Sequence, residues 1–284
     1  MRIVNQHNRL GLITAAGVVD VNTASGGRFP SDPSAIFAQW RKFRQWALEA
    51  PDGPVTELDA TALGPPVPRP PQVFAIGLNY RDHAAEAGLE LPATPQVFTK
   101  FPGSVTGPTT TIDLPSAAVD FEAELVVVIG LPTRHVESEN AWSHVAGLTI
   151  GQDLSDRVVQ LKPPAPAQFS LGKSFAGFAP IGPVLVTPDE FADPDDLEIG
   201  CTLSGEQMQK ARTSDFIFSI PDIIAYLSAV LPLFPGDLIF TGTPAGVGWA
   251  REPKRLITAR DELLTYVENI GHMRHRFRDA PPSR

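Results

Sequence analysis

Val119-Asp120-Phe121-Glu122-Ala123-Glu124-Leu125-Val126-Val127-Val128-Ile129-Gly130 places acidic residues directly before a continuous, largely β-branched apolar run. A run of this kind predicts a strand buried on both faces. Residues two apart on a strand point to the same side, roughly 6.5–7 Å apart along the chain. Glu122 and Glu124 therefore project together from the end of the strand. Side by side and partly desolvated, they repel and raise each other's pKa unless a cation lies between them. A lone Glu-x-Glu is most often a solvated strand end; the apolar run that follows points to burial.

Further strand-like runs lie on either side: Val73–Gly77, Gly147–Gly151, Val184–Val186, Leu197–Leu203, Leu238–Thr241 and Glu262–Val267. One strong helix intervenes, starting at Pro221 with Ile223, Ile224, Leu227 and Leu231 on a stripe. Many strands and few helices predict an α+β fold on curved sheets, not an alternating βαβ array. The first fifty residues look like a small unit of their own. Three short β-like runs, Arg2–Val4, Leu10–Thr14 and Gly17–Val21, precede a helix carrying Ile36, Phe37, Trp40, Phe43 and Ala47, which Pro33 begins and Pro51-Asp52-Gly53-Pro54 ends. Gly64-Pro65-Pro66-Val67-Pro68-Arg69-Pro70-Pro71 is stiff and extended. It sets the expected division: residues 1–70 as a small α/β N-terminal domain with its proline-rich linker, and residues 71–284 as the catalytic domain. No repeat of fixed period is present.

Hydrophobic residues at 43% and charged residues at 19% describe a globular chain with a sizeable core. A formal net charge of -9 argues against nucleic acid or an anionic membrane as partner, and the short basic stretch Arg274–Arg278 reads as a solvated strand end. The single cysteine, Cys201, permits no intrachain disulfide and reads as a small buried hydrophobe. No apolar stretch is long enough to span a bilayer, so the expected location is the cytoplasm.

Asp153 follows the Gly147–Gly151 run, where a carboxylate can converge with Glu122 and Glu124 on a cleft; an aspartate there is equally a turn residue. Three carboxylates make a hard, all-oxygen site suited to Mg²⁺ or Mn²⁺, with Ca²⁺ as an alternative. No cluster of zinc spacing exists. His83 and Glu86 stand three apart in the helix-like stretch Asn79–Gly88 and neighbour one another on one face. On spacing alone this is an ordinary surface pair; it is also how a carboxylate orients an imidazole that acts as general base. Lys100 and Lys173 both adjoin phenylalanine, and Lys173 follows the proline-rich loop Lys162–Ala167. Thr241-Gly242-Thr243-Pro244-Ala245-Gly246-Val247-Gly248 is neither a P-loop nor a dinucleotide fingerprint. Its amides and the Thr243 hydroxyl suit a substrate carboxylate, although a plain hairpin would read the same.

Taken together, Gly77-Leu78-Asn79-Tyr80-Arg81-Asp82-His83, Phe98-Thr99-Lys100, Asp120–Leu125, Gln152-Asp153, Gly172-Lys173-Ser174-Phe175, Pro180-Ile181-Gly182-Pro183 and Thr241-Gly242-Thr243-Pro244 resemble, in order and spacing, the fumarylacetoacetate hydrolase family over Pro71 to Arg278. The resemblance implies a mixed β-roll or β-sandwich catalytic domain that forms a homodimer. It implies Glu122, Glu124 and Asp153 as ligands of Mg²⁺ or Mn²⁺, His83 and Glu86 as a water-activating dyad on a lid, and Lys173 as a stabiliser of enolate charge. Lys100, Arg157, Gln160 and Thr243 would help to hold the substrate. Ala176 and Leu78 depart from the family, which many members continue with an acidic residue and several with arginine at these places.

The expected activity is metal-dependent cleavage of a carbon–carbon bond in a small 2,4-dioxo acid of the acylpyruvate type. The cation would offset the enolate charge, while His83, oriented by Glu86, deprotonates the attacking water. Decarboxylation of oxaloacetate, or isomerisation of a 2-hydroxymuconate or 2-hydroxyhepta-2,4-diene-1,7-dioate type of diacid, would use the same site. A non-catalytic protein that binds metal and a small 2-oxo acid is the rival from another class, and the intact dyad speaks against it.

Overall fold

The buried run forms the central strand of the larger of two main sheets. The structure, a computed structural model, describes residues 1–49, 53–86, 88–161 and 166–281. Ala123–Ile129 is buried at every position. It pairs antiparallel with Val145–Gln152 on one side and Leu238–Phe240 on the other. Val73–Gly77 joins Leu238–Phe240 in parallel, and Gln96–Thr99 closes that edge. Beyond Val145–Gln152 comes Ala179–Val186, then Arg2–Gln6, Arg9–Thr14 and Gly17–Asp20. A second sheet runs in the order Glu206–Arg212, Glu198–Leu203, Glu262–Val267, Gly271–Asp279, Thr111–Leu114.

Alternation along the central strand explains the layers. Leu125, Val127 and Ile129 pack with Ile199, Cys201, Leu263 and Met273 of the second sheet. Val126 and Val128 face the other way, onto Phe29, Ile36, Phe37, Trp40 and Phe43. The leading segment thus covers one face of the sheet, and its first strand is hydrogen-bonded to Ala179–Val186. Each such fully buried side chain contributes about 1.5–3 kcal/mol, so this layer is a substantial part of the core. The proline-rich stretch bends back against that strand, where the Asn5 amide donates to the Pro65 carbonyl at 2.9 Å.

Local expectations hold with shifted boundaries. The early helix is a 3-10 turn over Ala35–Gln39 followed by an α-helix over Trp40–Leu48; of its expected stop, Pro51 and Asp52 lie outside the described residues. The later helix spans Ile220–Val230 and begins with a capping box between Ser219 and Asp222. Leu231 lies just past its end. On Gly271–Asp279, Arg274 and Arg276 point outward onto Glu262, and Arg278 onto Asp113. Cys201 is fully buried, and burial pushes its thiol far above the usual range. Among the described residues no helix is long and apolar enough to cross a membrane.

Candidate active site and metal centre

Register brings the acidic residues together. Ala123 pairs with Gln152 and Glu124 with Gly151, so Asp153 falls opposite Glu122. The Asp153 amide donates to the Glu122 carbonyl at 2.9 Å, and the Glu122 amide to Gln152 Oε1 at 2.9 Å. Glu122, Glu124 and Asp153 each offer a carboxylate oxygen, and these oxygens lie within 4.8 Å of one another. The three residues are 7%, 1% and 0% exposed.

Their electrostatics are uneven. Burial pushes the Glu122 carboxyl up, but the Lys173 ammonium and Arg157 guanidinium outweigh it and hold the group at about 2. Glu124 is raised well above the carboxylate range, first by burial and then by the charges of Asp153 and Glu122. Its firm partner is the Gly242 amide, 2.8 Å from Oε2. Gly242 sits at φ +101 with Asn79 where a side chain would go, which lets the loop come this close. With no ion-pair partner for Glu124 among the described residues, and two more hard oxygen donors beside it, the three carboxylates could hold a divalent cation of the Mg²⁺, Mn²⁺ or Ca²⁺ kind.

Lys173 Nζ donates to Glu122 Oε2 at 2.7 Å and to Asp153 Oδ2 at 2.6 Å. Burial lowers its pKa, but Asp153 and Glu122 reverse the effect and the ammonium is favoured. Lys100 was expected to touch substrate. Instead it is wholly buried and outside the cavity lining, donating to Asp153 Oδ1 at 2.5 Å and to the Lys173 carbonyl. It supports the site from behind. Thr243 lines the cavity. Its hydroxyl donates to the Ala123 carbonyl at 2.9 Å and accepts from Gln209 Nε2 at 2.7 Å, so its proton is committed to the fold.

Arg157 and Gln160 share the short helix Arg157–Leu161. The Arg157 guanidinium meets Asp120 Oδ2 at 2.6 Å, Glu122 Oε1 at 2.7 Å and Gln160 Oε1 at 2.8 Å. Asp120 had been assigned no role. It is fully buried and also accepts the Gly248 and Trp249 amides at 2.8 and 3.0 Å, tying Arg157 to the glycine-rich loop. The signal was its place two residues before Glu122, on the same side of an extended chain.

His83 and Glu86 lie on the helix Arg81–Glu86, with His83 Nδ1 3.2 Å from Glu86 Oε2. A carboxylate only accepts, so the contact favours the proton on Nδ1 and turns Nε2 toward the role of a base. Both residues line the same cavity of about 430 Å³ as Glu122, Glu124, Arg157 and Lys173. Leu78 lines it as well, whereas Ala176 is exposed and does not. Part of the proline-rich loop before Lys173, residues 162–165, lies outside the described residues.

Comparison with known proteins agrees with this geometry. The profile of the family described as Fumarylacetoacetate (FAA) hydrolase C-terminal matches residues 72–278. The mitochondrial oxaloacetate tautomerase Fahd2a of Rattus norvegicus is 38% identical over 263 residues, covering 90% of this chain and 82% of that protein. An HpcE-like protein of Mycobacterium smegmatis superposes with a TM-score of 0.94 at 51% identity, covering 99% of this chain and all of that one. The maleylpyruvate hydrolase of Sphingobium sp. SYK-6, solved with manganese(II) and pyruvate, gives a TM-score of 0.79 at 27% identity, covering 99% of this chain and 100% of that one. The chain therefore belongs to the fumarylacetoacetate hydrolase family.

Proposed function

We propose that this chain is a divalent-metal-dependent hydrolase that splits a small acylpyruvate-type 2,4-dioxo acid into pyruvate and a carboxylic acid. Glu122, Glu124 and Asp153 would hold the cation, Mg²⁺ in first place and Mn²⁺ or Ca²⁺ otherwise. When bound, the cation supplies Lewis acidity toward a 2-oxo acid. Gln160 and Arg157 face the cavity beside it and suit a substrate carboxylate. Lys173, fixed between Glu122 and Asp153, presents positive charge where an enolate oxygen develops. His83 Nε2 takes a proton from water, which adds to the 4-oxo carbon. The bond from that carbon to C3 then breaks, and C3 is protonated to give pyruvate.

The observation that carries this reading is the His83–Glu86 contact at 3.2 Å in the cavity that Glu122 and Glu124 line. Loss of carbon dioxide needs no activated water, so a decarboxylase would have no use for the dyad. A tautomerase or isomerase remains the second reading, supported by the name of the rat relative; there His83 would shuttle a proton without water attack. Assay of His83→Ala on acylpyruvates and on enol-oxaloacetate separates the two. Hydrolysis should fall about 10²–10⁴-fold, with metal binding retained. Wild-type protein that equilibrates oxaloacetate tautomers but leaves every acylpyruvate intact would overturn the hydrolase reading.

A further inference from the structure

We propose that two buried glutamines, Gln152 and Gln209, are positioning residues that preset the carboxylates of Glu122, Glu124 and Asp153 for a cation, acting through the backbone and not by contact with the ion. The inference rests on the divalent-metal reading of the site and deepens it.

The stretch that carries the first carboxylate lies outside the sheet. Strand structure stops after Asp120 and resumes at Ala123. Three successive amides here are answered by side chains. Phe121 donates to Asp120 Oδ1, Glu122 to Gln152 Oε1 and Ala123 to Gln209 Oε1, each at 2.9 Å.

The nitrogen ends of the two glutamines hold other parts of the molecule. Gln152 Nε2 donates to Thr265 Oγ1 of Glu262–Val267, in the second sheet, at 2.9 Å. Gln209 Nε2 donates to Thr243 Oγ1 and to the Pro244 carbonyl, both at 2.7 Å. That is the loop whose Gly242 amide meets Glu124. One side chain thereby sets the spacing between the strand end that carries Glu122 and Glu124 and the loop that faces them.

Gln209 reaches this place through a bulge. Its strand, Glu206–Arg212, is an edge of the second sheet. The register with Glu198–Leu203 shifts there: Cys201 faces Gln209, while Thr202 faces Gln207. Met208 and Gln209 are consequently both buried, where a regular strand would send neighbours to opposite faces. Re-aiming a side chain beside a site is a recurrent use of bulges.

A primary amide suits the task because it offers an acceptor and two donor hydrogens without charge. It braces the backbone and leaves the charge balance of the carboxylates untouched. Gln209 uses its full capacity, since Oε1 also accepts from Cys201 Sγ at 3.3 Å. A buried network satisfied in this way is rigid. Rigidity is needed here: the three carboxylates offer oxygens within 4.8 Å of one another, and without a cation they repel. A segment held by side chains alone would yield to that repulsion if its braces were removed.

Mn²⁺ titration of the full chain, read by the electron paramagnetic resonance of the free ion, tests the proposal, with urea denaturation of the metal-free proteins alongside. Gln209→Met and Gln152→Met keep the side-chain length and remove the hydrogen bonds. Each should raise the Mn²⁺ Kd about 10–100-fold, the scale set by partners outside a coordination sphere. Gln209→Asn keeps the amide but is too short to span both partners; it should weaken binding too, and it decides if neither methionine variant folds. Cys201→Ala loosens the core beside Gln209 and spares the bonds to Ala123, Thr243 and Pro244. It should lower the urea midpoint and leave Kd unchanged, which separates positioning from stability. An unchanged Kd in the folded glutamine variants, or an equal rise in Cys201→Ala, would overturn the proposal while the metal reading stands. Wild type that binds no Mn²⁺ would remove both. Weakened binding in the variants, with no acylpyruvate cleavage by the wild type, would sink the hydrolase reading alone.

Discussion

Glu86 directs both carboxylate oxygens at the backbone amide of Gly246, at 3.0 and 3.1 Å. The same carboxylate meets His83, so the helix carrying the dyad is latched to the loop whose Gly242 amide meets Glu124. Gly246 lies at φ +102, and a Cβ there would stand 2.1 Å from the Met208 carbonyl. Arg251 braces the turn by donating to the Gly246 and Met208 carbonyls at 3.1 and 2.8 Å. Gly246→Ala should therefore push the amide away from Glu86 and lower kcat about 10²-fold, the scale of an ångström-sized misplacement. The Mg²⁺-induced rise in Tm should survive. Unchanged kinetics in this variant would show that the latch is not needed.

Glu124→Gln tests the cation. The amide keeps an oxygen for Gly242 and removes the charge that burial, Asp153 and Glu122 oppose. Metal-free variant should be at least as stable as wild type. Wild type should gain about 2.7 kcal/mol at a Mg²⁺ concentration a hundred times Kd, and the variant almost none. Thermal denaturation with and without chelator reads both; an equal Mg²⁺ response would argue against Glu124 as a ligand.

Asp120→Ala strips Arg157 of the Oδ2 that accepts from both Nε and Nη2 and leaves the Gly248 and Trp249 amides unanswered. Removing one member of a buried ion pair costs about 3–5 kcal/mol. Asp120→Asn retains one oxygen, which answers one of the two amides, and should cost less. Urea denaturation midpoints order the three proteins, and a loss below about 1 kcal/mol in the alanine variant would contradict the buttress role.

His275 gives the fold a pH dependence away from the site. It is fully buried in the second sheet, its Nε2 3.1 Å from the Gly107 carbonyl, and its Nδ1 has no partner among the described residues. Burial lowers its pKa from 6.5 to about 4. Below 6.5 the unfolded chain takes up a proton that the folded one refuses. Stability from this residue is therefore complete above that pH and falls as pH drops toward 4, by about 3 kcal/mol in all. His275→Gln should flatten the slope of unfolding free energy between these limits; an undiminished slope would place its origin elsewhere.

Much of the site was legible in the chain because its signals are local. The apolar run after Glu124 marked a strand buried on both faces, and same-side spacing paired Glu122 with Glu124. The three-residue spacing of His83 and Glu86 placed them together on a helix. Lys100 was misplaced because residue type and neighbours do not say whether a side chain faces a cavity or is consumed behind it. Asp120 went unassigned because its partners, Arg157 and Gly248, lie 37 and 128 residues away.

By itself, the order of amino acids determined the donor chemistry and the periodicities: hard oxygen donors, a buried central strand, an imidazole beside a carboxylate. Only the tertiary structure decided that Asp153 stands opposite Glu122, that the first strand extends the main sheet, and that Leu78 lies on the cavity wall. Those outcomes depend on strand register and on loops closing across long separations. Register is settled by the simultaneous packing of both sheet faces, a property of the assembled core that no single stretch of chain contains.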